Sequence, residues 1–227
     1  MSEPQQKPIG MIVNGVWSHY AVATAPKYRD LIELIYVHDL GGARLERFAG
    51  LIVPFQNDHE AIAPHRDALY AFLARGGRIA VFGDSAHWID AVWEDRPVNN
   101  YWWAEQPDRP PVAYTDFSHP LFEGLSERQA CWHHHGVYTR IPDGARVLQH
   151  TESGEVICWE TQAYGGHLLA GTQDPIVEHG VQQIAHLDHF VDSLVTWLCG
   201  RRPTPGKMTI DRDAYGRPFR RTARLTK

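Results

Sequence analysis

The sequence predicts an α/β domain built on a mainly parallel sheet with helices on both faces. Two observations carry this. The apolar runs Ile9–Val13, Leu51–Pro54 and Arg78–Phe82 are short and lack polar alternation, as strands buried on both faces do. Segments with helical spacing or turn residues separate them, giving a β-α-β-α-β rhythm. With 227 residues, 43% of them hydrophobic, the chain can build one large core.

Ile9–Val13 is a strand closed by Asn14-Gly15. Tyr28–Leu34 is expected as a helix, Glu33–Val37 as a second strand and Ala43–Phe48 as a short helix. Leu51-Ile-Val-Pro54 is a buried strand that Pro54 ends. Glu60–Arg75 carries Ile62, Leu69, Phe72 and Leu73 near helical spacing and stops at Gly76-Gly77. Arg78–Phe82 is the next strand. Residues 89–118, rich in Trp, Pro and Asn, read as an excursion of loops. Ala145–His150, Val156–Glu160 and Gly166–Gly171 read as antiparallel strands joined at Ser153-Gly154 and Tyr164-Gly165-Gly166. Ile176–Leu198 has an apolar face of Ile184, Leu187, Phe190, Val191, Leu194, Val195 and Leu198, and is expected as one amphipathic helix.

Composition bounds the function. No apolar run approaches the ~20 residues of a membrane span, and the first residues carry no apolar segment of a signal peptide. Cys131, Cys158 and Cys199 are odd in number and widely spaced, which suits reduced thiols. A cytoplasmic location is therefore expected. Charge is uneven: residues 201–227 hold nine Lys/Arg against Asp211 and Asp213, a net +7, leaving −12 on residues 1–200. We expect residues 1–200 to form the domain and residues 201–227 a basic, extended C-terminal arm. The arm is expected to mediate homo- or hetero-oligomer contacts; nucleic acid is disfavoured because the acidic body repels phosphate.

The segment that most invites chemistry is Gly83-Asp84-Ser85-Ala86-His87, directly after an apolar strand. A tight turn there would hold one side chain at the carboxyl edge of the sheet. Around it, three segments resemble the class I glutamine amidotransferase-like superfamily, closest to its ThuA-like (trehalose-utilisation-type) branch. Gly50-Leu-Ile-Val-Pro54, a helix, then Gly76-Gly77-Arg-Ile-Ala-Val-Phe-Gly83 resembles the approach to the family's elbow. His119-Pro-Leu-Phe-Glu-Gly-Leu125 resembles its H-P-L-x-x-G-L segment. Tyr164-Gly-Gly-His-Leu-Leu-Ala-Gly171, then Asp174-Pro175 and His179-Gly180, resembles its late hairpin and last helix. The resemblance spans about residues 8–198 and implies a flavodoxin-like three-layer sandwich with a late antiparallel hairpin.

The resemblance also implies what is missing. Amidotransferases of this fold use Cys in G-x-C-x-G, with a late H-P-E motif; here Ser85 holds the Cys position, Asp174 the His position and Ile176 the Glu position. Pro54-Phe55-Gln56 stands where the family has Pro-Gly-Gly. Ordinary glutamine hydrolysis is not expected. A serine variant would need a base for Ser85, since a hydroxyl is scarcely ionised at neutral pH. His87, His179 and the run His133-His134-His135 are the candidates, with Asp84 or Glu178 as orienter and the Ala86 amide as oxyanion donor. The plainer reading is that Ser85 merely fits a tight turn.

Fourteen histidines are many for this length. If Cys131–Tyr138 is extended, His133 and His135 share a face and His134 points away. No cofactor motif is present, but His133 and His135 with His87, Asp174, Glu178 or His179 could ligate a divalent metal. A run of pocket-lining histidines is the bland alternative. Phe55, Asp84, Ala86, Trp88, His133, His135, Tyr138 and Asp174 are the expected lining of a small-molecule site, with Ser85, His87 and His179 as its candidate catalytic residues. Two functions follow. One is a small-molecule hydrolase acting on an amide, ester or sugar-derived substrate. The other is a non-catalytic binding or assembly subunit using aromatic residues 88–103 and the basic arm.

Overall fold

The computed structural model describes residues 7–199 except 99, 107, 108 and 183, with backbone only at 103, 185 and 186. The basic arm, residues 201–227, lies outside the described residues. Ten strands form one sheet. Its parallel half is β1 (Ile9–Val13), β2 (Ile32–Tyr36), β3 (Gly50–Val53), β4 (Arg78–Phe82) and β10 (His167–Gly171), ordered β2-β1-β3-β4-β10. This is the doubly wound order of flavodoxin-like sheets.

The second half is antiparallel. It comprises β5 (Val92–Asp95), β6 (Tyr114–Thr115), β7 (Gly136–Arg140), β8 (Arg146–His150) and β9 (Val156–Thr161). Strand β10 joins the halves, running parallel to β4 and antiparallel to β9. The excursion expected over residues 89–118 thus contains two short strands, β5 on β7 and β6 on β8.

The strands of the parallel half alternate faces, yet both faces are apolar. Ile9, Met11 and Val13 of β1, with Ala80 and Phe82 of β4, enter one core with Phe190, Val191, Leu194 and Val195. Ile12, Ile79 and Val81 enter the other, with Leu69, Phe72 and Leu73. This is why the sequence shows unbroken apolar runs there. Fully burying each such side chain contributes about 1.5–3 kcal/mol, and together these contributions hold the three layers.

Five expectations are corrected. The helix before β2 is α1 (Trp17–Thr24), not Tyr28–Leu34. The Ile9 amide donates to the Leu31 carbonyl, drawing that segment into the sheet. Helix α1 escaped notice because two of its buried residues, Ser18 and His19, are polar. Ala43–Phe48 holds only a 3-10 turn at Leu45–Arg47. Pro64 breaks the expected Glu60–Arg75 helix into α2 (His59–Ile62), a 3-10 turn (Ala63–His65) and α3 (Arg66–Ala74). A short helix, α4 (Trp102–Glu105), lies in the excursion.

The last expected helix is two, α5 (Pro175–Gln182) and α6 (Ala185–Cys199). α6 covers the sheet, whereas α5 packs on α1 so closely that one straight helix could not do both. A Cβ built on Gly180 would lie 2.2 Å from the Ser18 carbonyl oxygen and 2.8 Å from its carbon. Those atoms are backbone and cannot rotate away. Gly180→Ala is therefore expected to destabilise the fold by about 1–3 kcal/mol through overpacking, measured by urea titration. An unchanged midpoint would show that α1 and α5 are not in this contact.

Candidate functional site

The strand ends converge where β3, β4 and β10 finish. Here the backbone of residues 133–135 pairs with residues 172–174. The His135 amide donates to the Thr172 carbonyl at 3.2 Å, and the Asp174 amide to the His133 carbonyl at 3.2 Å. His134 and Gln173 form the bridge between them. An extended segment alternates its side chains, so His133 and His135 emerge on the face shared with Asp174, and their rings lie 6.5 Å apart.

Gln173 points the other way. Its Oε1 accepts from the Trp132 amide at 2.7 Å and its Nε2 donates to Gln149 Oε1 at 2.6 Å. Gln149 Nε2 donates in turn to the Ala130 carbonyl at 2.8 Å. Both amides are buried and satisfied, so this ladder fixes the histidine segment on β8.

Asp174 immediately precedes α5, and Glu178 lies one turn on. The Glu178 amide donates to the Asp174 carbonyl at 3.2 Å. Two carboxylates are thus brought beside two imidazoles. His135 Nε2 donates to Asp174 Oδ2 at 3.0 Å, while Asp174 Oδ1 is buried with no partner. His133 Nδ1 stands 4.0 Å from Glu178 Oε1, too far for a hydrogen bond. Glu178 Oε2 accepts from Gln182 Nε2 at 2.7 Å.

Electrostatics follow from this crowding. Burial and the Asp174 charge push the Glu178 carboxyl up to about 7, partly opposed by His135. Burial lowers His135, but the hydrogen bond and charge of Asp174, with Glu178 and Asp95, outweigh it, and its pKa rises. Burial holds His133 below the ordinary imidazole range, aided by His135. Trp132 stacks on His133 at 4.5 Å, and Phe55 stacks on His135 at 4.5 Å.

Ser85 lies elsewhere. It is fully buried, and its hydroxyl sits 3.2 Å from the Tyr138 hydroxyl. Tyr138 is itself buried, with its phenol pKa pushed up by burial. The expected exposed nucleophile at the elbow is therefore corrected: the turn is tight, and a residue from β7 seals it. No helix follows. The Trp88 and Ile89 amides both donate to the Ser85 carbonyl at 3.1 Å and close a single turn. Ala86 is half-buried in that turn.

The remaining candidates divide between a cleft and the packing of the fold. Asp84 and His87 are exposed, 3.9 Å apart, beside an open cleft of about 330 Å³ that Phe55, Asp58, His59 and Glu60 also line. Trp88 is buried, its Nε1 donating to His59 Nδ1 at 3.0 Å. His179 is fully buried, and its Nε2 lies 3.4 Å from Asp188 of α6, within the helix packing. Phe55 stands between cleft and cluster, since a Cβ on Gly83 would come within 3.0 Å of its ring. The loop carrying it is held in shape. Gln56 takes φ 63°, the Asn14 side chain donates to the Gln56 carbonyl at 3.0 Å, and Asn57 donates to the Ile12 carbonyl at 2.6 Å.

His59 is a residue the sequence reading missed; its only signal was its place just after β3. Burial drives its pKa down to about 4 from the ordinary 6.5. The neutral ring fits its role, because Nδ1 must stay unprotonated to accept from Trp88. Unfolded chain binds the proton near pH 6.5 and folded chain only near pH 4, so this stability is full above that window and falls as pH drops through it. The loss is roughly 3 kcal/mol. His59→Gln, which keeps an acceptor for Trp88, is expected to flatten the acid limb of a stability-versus-pH curve between pH 6.5 and 4. An unchanged acid limb would mean His59 is protonated in the folded chain.

No family model matches the sequence, and no curated protein matches it. Solved structures do match in three dimensions. A GMP synthase-like protein of Thermoplasma acidophilum superposes with TM-score 0.54 at 14% identity, over 87% of this chain and 96% of its own. A ThuA-like protein of Bacteroides uniformis gives 0.50 at 16% identity, over 96% and 97%. The cytoplasmic protein STM1381 of Salmonella typhimurium gives 0.54 at 11%, over 84% and 99%. Among the described residues, no helix is long and apolar enough to cross a membrane. The chain has the α/β fold shared by these glutamine amidotransferase-like and ThuA-like structures.

Proposed function

We propose that the protein is a small-molecule hydrolase acting on an amide, ester or sugar-derived substrate through the His135–Asp174 pair, not through Ser85. The observation that supports this is the 3.0 Å bond from His135 Nε2 to Asp174 Oδ2 at the carboxyl ends of the strands. A buried carboxylate that accepts from one ring nitrogen fixes the tautomer and orientation of the imidazole and strengthens the other nitrogen as a base. In an amidotransferase of this fold the base comes from the position that Asp174 occupies here. In this chain the imidazole arrives instead from the segment 133–135 paired with residues 172–174.

On an amide or ester, His135 Nδ1 takes a proton from water, and the water oxygen attacks the acyl carbon. The bond to the leaving nitrogen or oxygen then breaks, and His135 returns the proton to that atom. The Asp174 side chain stabilises the imidazolium through its bond to Nε2. Phe55, stacked on His135, limits its rotation and presents an apolar wall to the substrate.

A panel of chromogenic esters, anilides and glycosides tests this. Asp174→Asn and His135→Gln are each expected to lower turnover of the responsive substrate by about 10²-fold or more, while Ser85→Ala stays within about two-fold. Loss of turnover in Ser85→Ala alone, or no turnover of any member by the unaltered chain, would overturn the reading.

A further inference from the structure

We infer that His133, Asp174 and Glu178 form a binding site for one divalent first-row transition cation, with His135 bound to the other oxygen of Asp174. The inference deepens the hydrolase reading and places the cation in the same site, but it is tested separately from turnover.

One ligand atom from each of the three residues lies within 4.8 Å of the other two. Nitrogen and oxygen ligands about 2.1 Å from a tetrahedral ion stand about 3.4 Å apart, so a modest rotation of side-chain bonds closes the set. His133 and Glu178 are half-buried at the site's rim and Asp174 is buried beneath it. The approach is thus from one side, which leaves room for water on the open face of an ion.

The same residues carry unmet polar capacity. Asp174 is only 3% exposed, and its Oδ1 has no hydrogen-bond partner. His133 turns its Nδ1 toward Glu178 Oε1 at 4.0 Å, beyond hydrogen-bond reach. Glu178 has one oxygen engaged by Gln182, leaving Oε1 toward His133. A buried carboxylate oxygen without a donor costs free energy, and a second carboxylate beside it raises that cost. A dication between them removes both costs at once.

The residues around the three fit the same role. The second oxygen of Asp174 accepts from His135, and that of Glu178 accepts from Gln182. Ligating carboxylates are commonly oriented in this way, each with one oxygen tied back by a protein donor. One imidazole with two carboxylates is a mixed nitrogen–oxygen set suited to zinc, manganese, iron or cobalt and unsuited to soft, thiolate-seeking ions. Neither buried cysteine belongs to the set: Cys131 is packed with Trp102 and Ile184, and Cys158 lies in the sheet.

Cobalt(II) is the probe, because its visible absorption reports coordination directly. The full-length chain, stripped with chelator, is titrated with CoCl2 and followed by absorption and by equilibrium dialysis. One tightly bound cobalt per chain with d–d bands is expected. Asp174→Asn and Glu178→Gln should each weaken that binding by roughly 100-fold, with circular dichroism unchanged. Because Asp174 is buried and its variant could misfold, Glu178→Gln serves as the independent second test. The double variant Asp84→Asn/His87→Gln, at the neighbouring cleft, should bind as the unaltered chain does. Absence of stoichiometric cobalt, or cobalt retained in a folded Glu178→Gln, overturns the site. If cobalt is absent but Asp174→Asn still abolishes turnover, the metal falls and the His135–Asp174 hydrolase stands.

Discussion

The pairing of residues 133–135 with residues 172–174 is the constraint on which the site depends. Two backbone hydrogen bonds bring a histidine run, encoded in the middle of the chain, alongside the end of β10. Without that pairing, His133 and His135 would belong to a surface loop, and Asp174 would be an isolated buried carboxylate. The Gln149–Gln173 ladder beneath it meets the Trp132 amide and the Ala130 carbonyl, which apolar residues would leave unpaired. Its value is registry. An amide pair has one geometry in which every donor and acceptor is met, so the histidine segment cannot slide by a residue without leaving buried groups unpaired.

The two halves of the sheet divide the labour. The parallel half supplies rigidity, because its strands are buried on both faces by helices. The antiparallel half supplies Tyr138 over Ser85, and the segment leading into β7 supplies the histidines beside Asp174. β10 belongs to both. Residues that follow it immediately, Thr172 to Asp174, are therefore anchored by one half and face the polar side chains beside the other.

Much of this was legible in the sequence, and the failures have particular causes. Unbroken apolar runs at Ile9–Val13 and Arg78–Phe82 announced strands covered on both faces, because nothing else requires such runs. The shared face of His133 and His135, and Asp174 and Glu178 as possible companions, were readable from the period of an extended chain and from their place beside the last helix. Ser85 was not. Its local pattern is that of an exposed elbow, and what buries it is Tyr138, which is 53 residues away along the chain. His59 was hidden for the same reason, since Trp88 defines its role through space. Helix α1 was missed because a buried serine and a buried histidine broke the apolar stripe. The histidine is there to donate from Nε2 to the Phe55 carbonyl, at 2.9 Å, beside the site.

The seam at β10 also has a kinetic meaning. His135 touches both Phe55 and Asp174, from three distant stretches of chain, and the parallel register of β4 with β10 links equally remote segments. Contacts of such high sequence separation form only after most loop-closure entropy has been lost. The helices and the β8–β9 hairpin rest on local contacts, whereas the cluster of imidazoles and carboxylates needs distant stretches brought together. By sequence separation alone, the cluster is expected among the last parts of the fold to assemble.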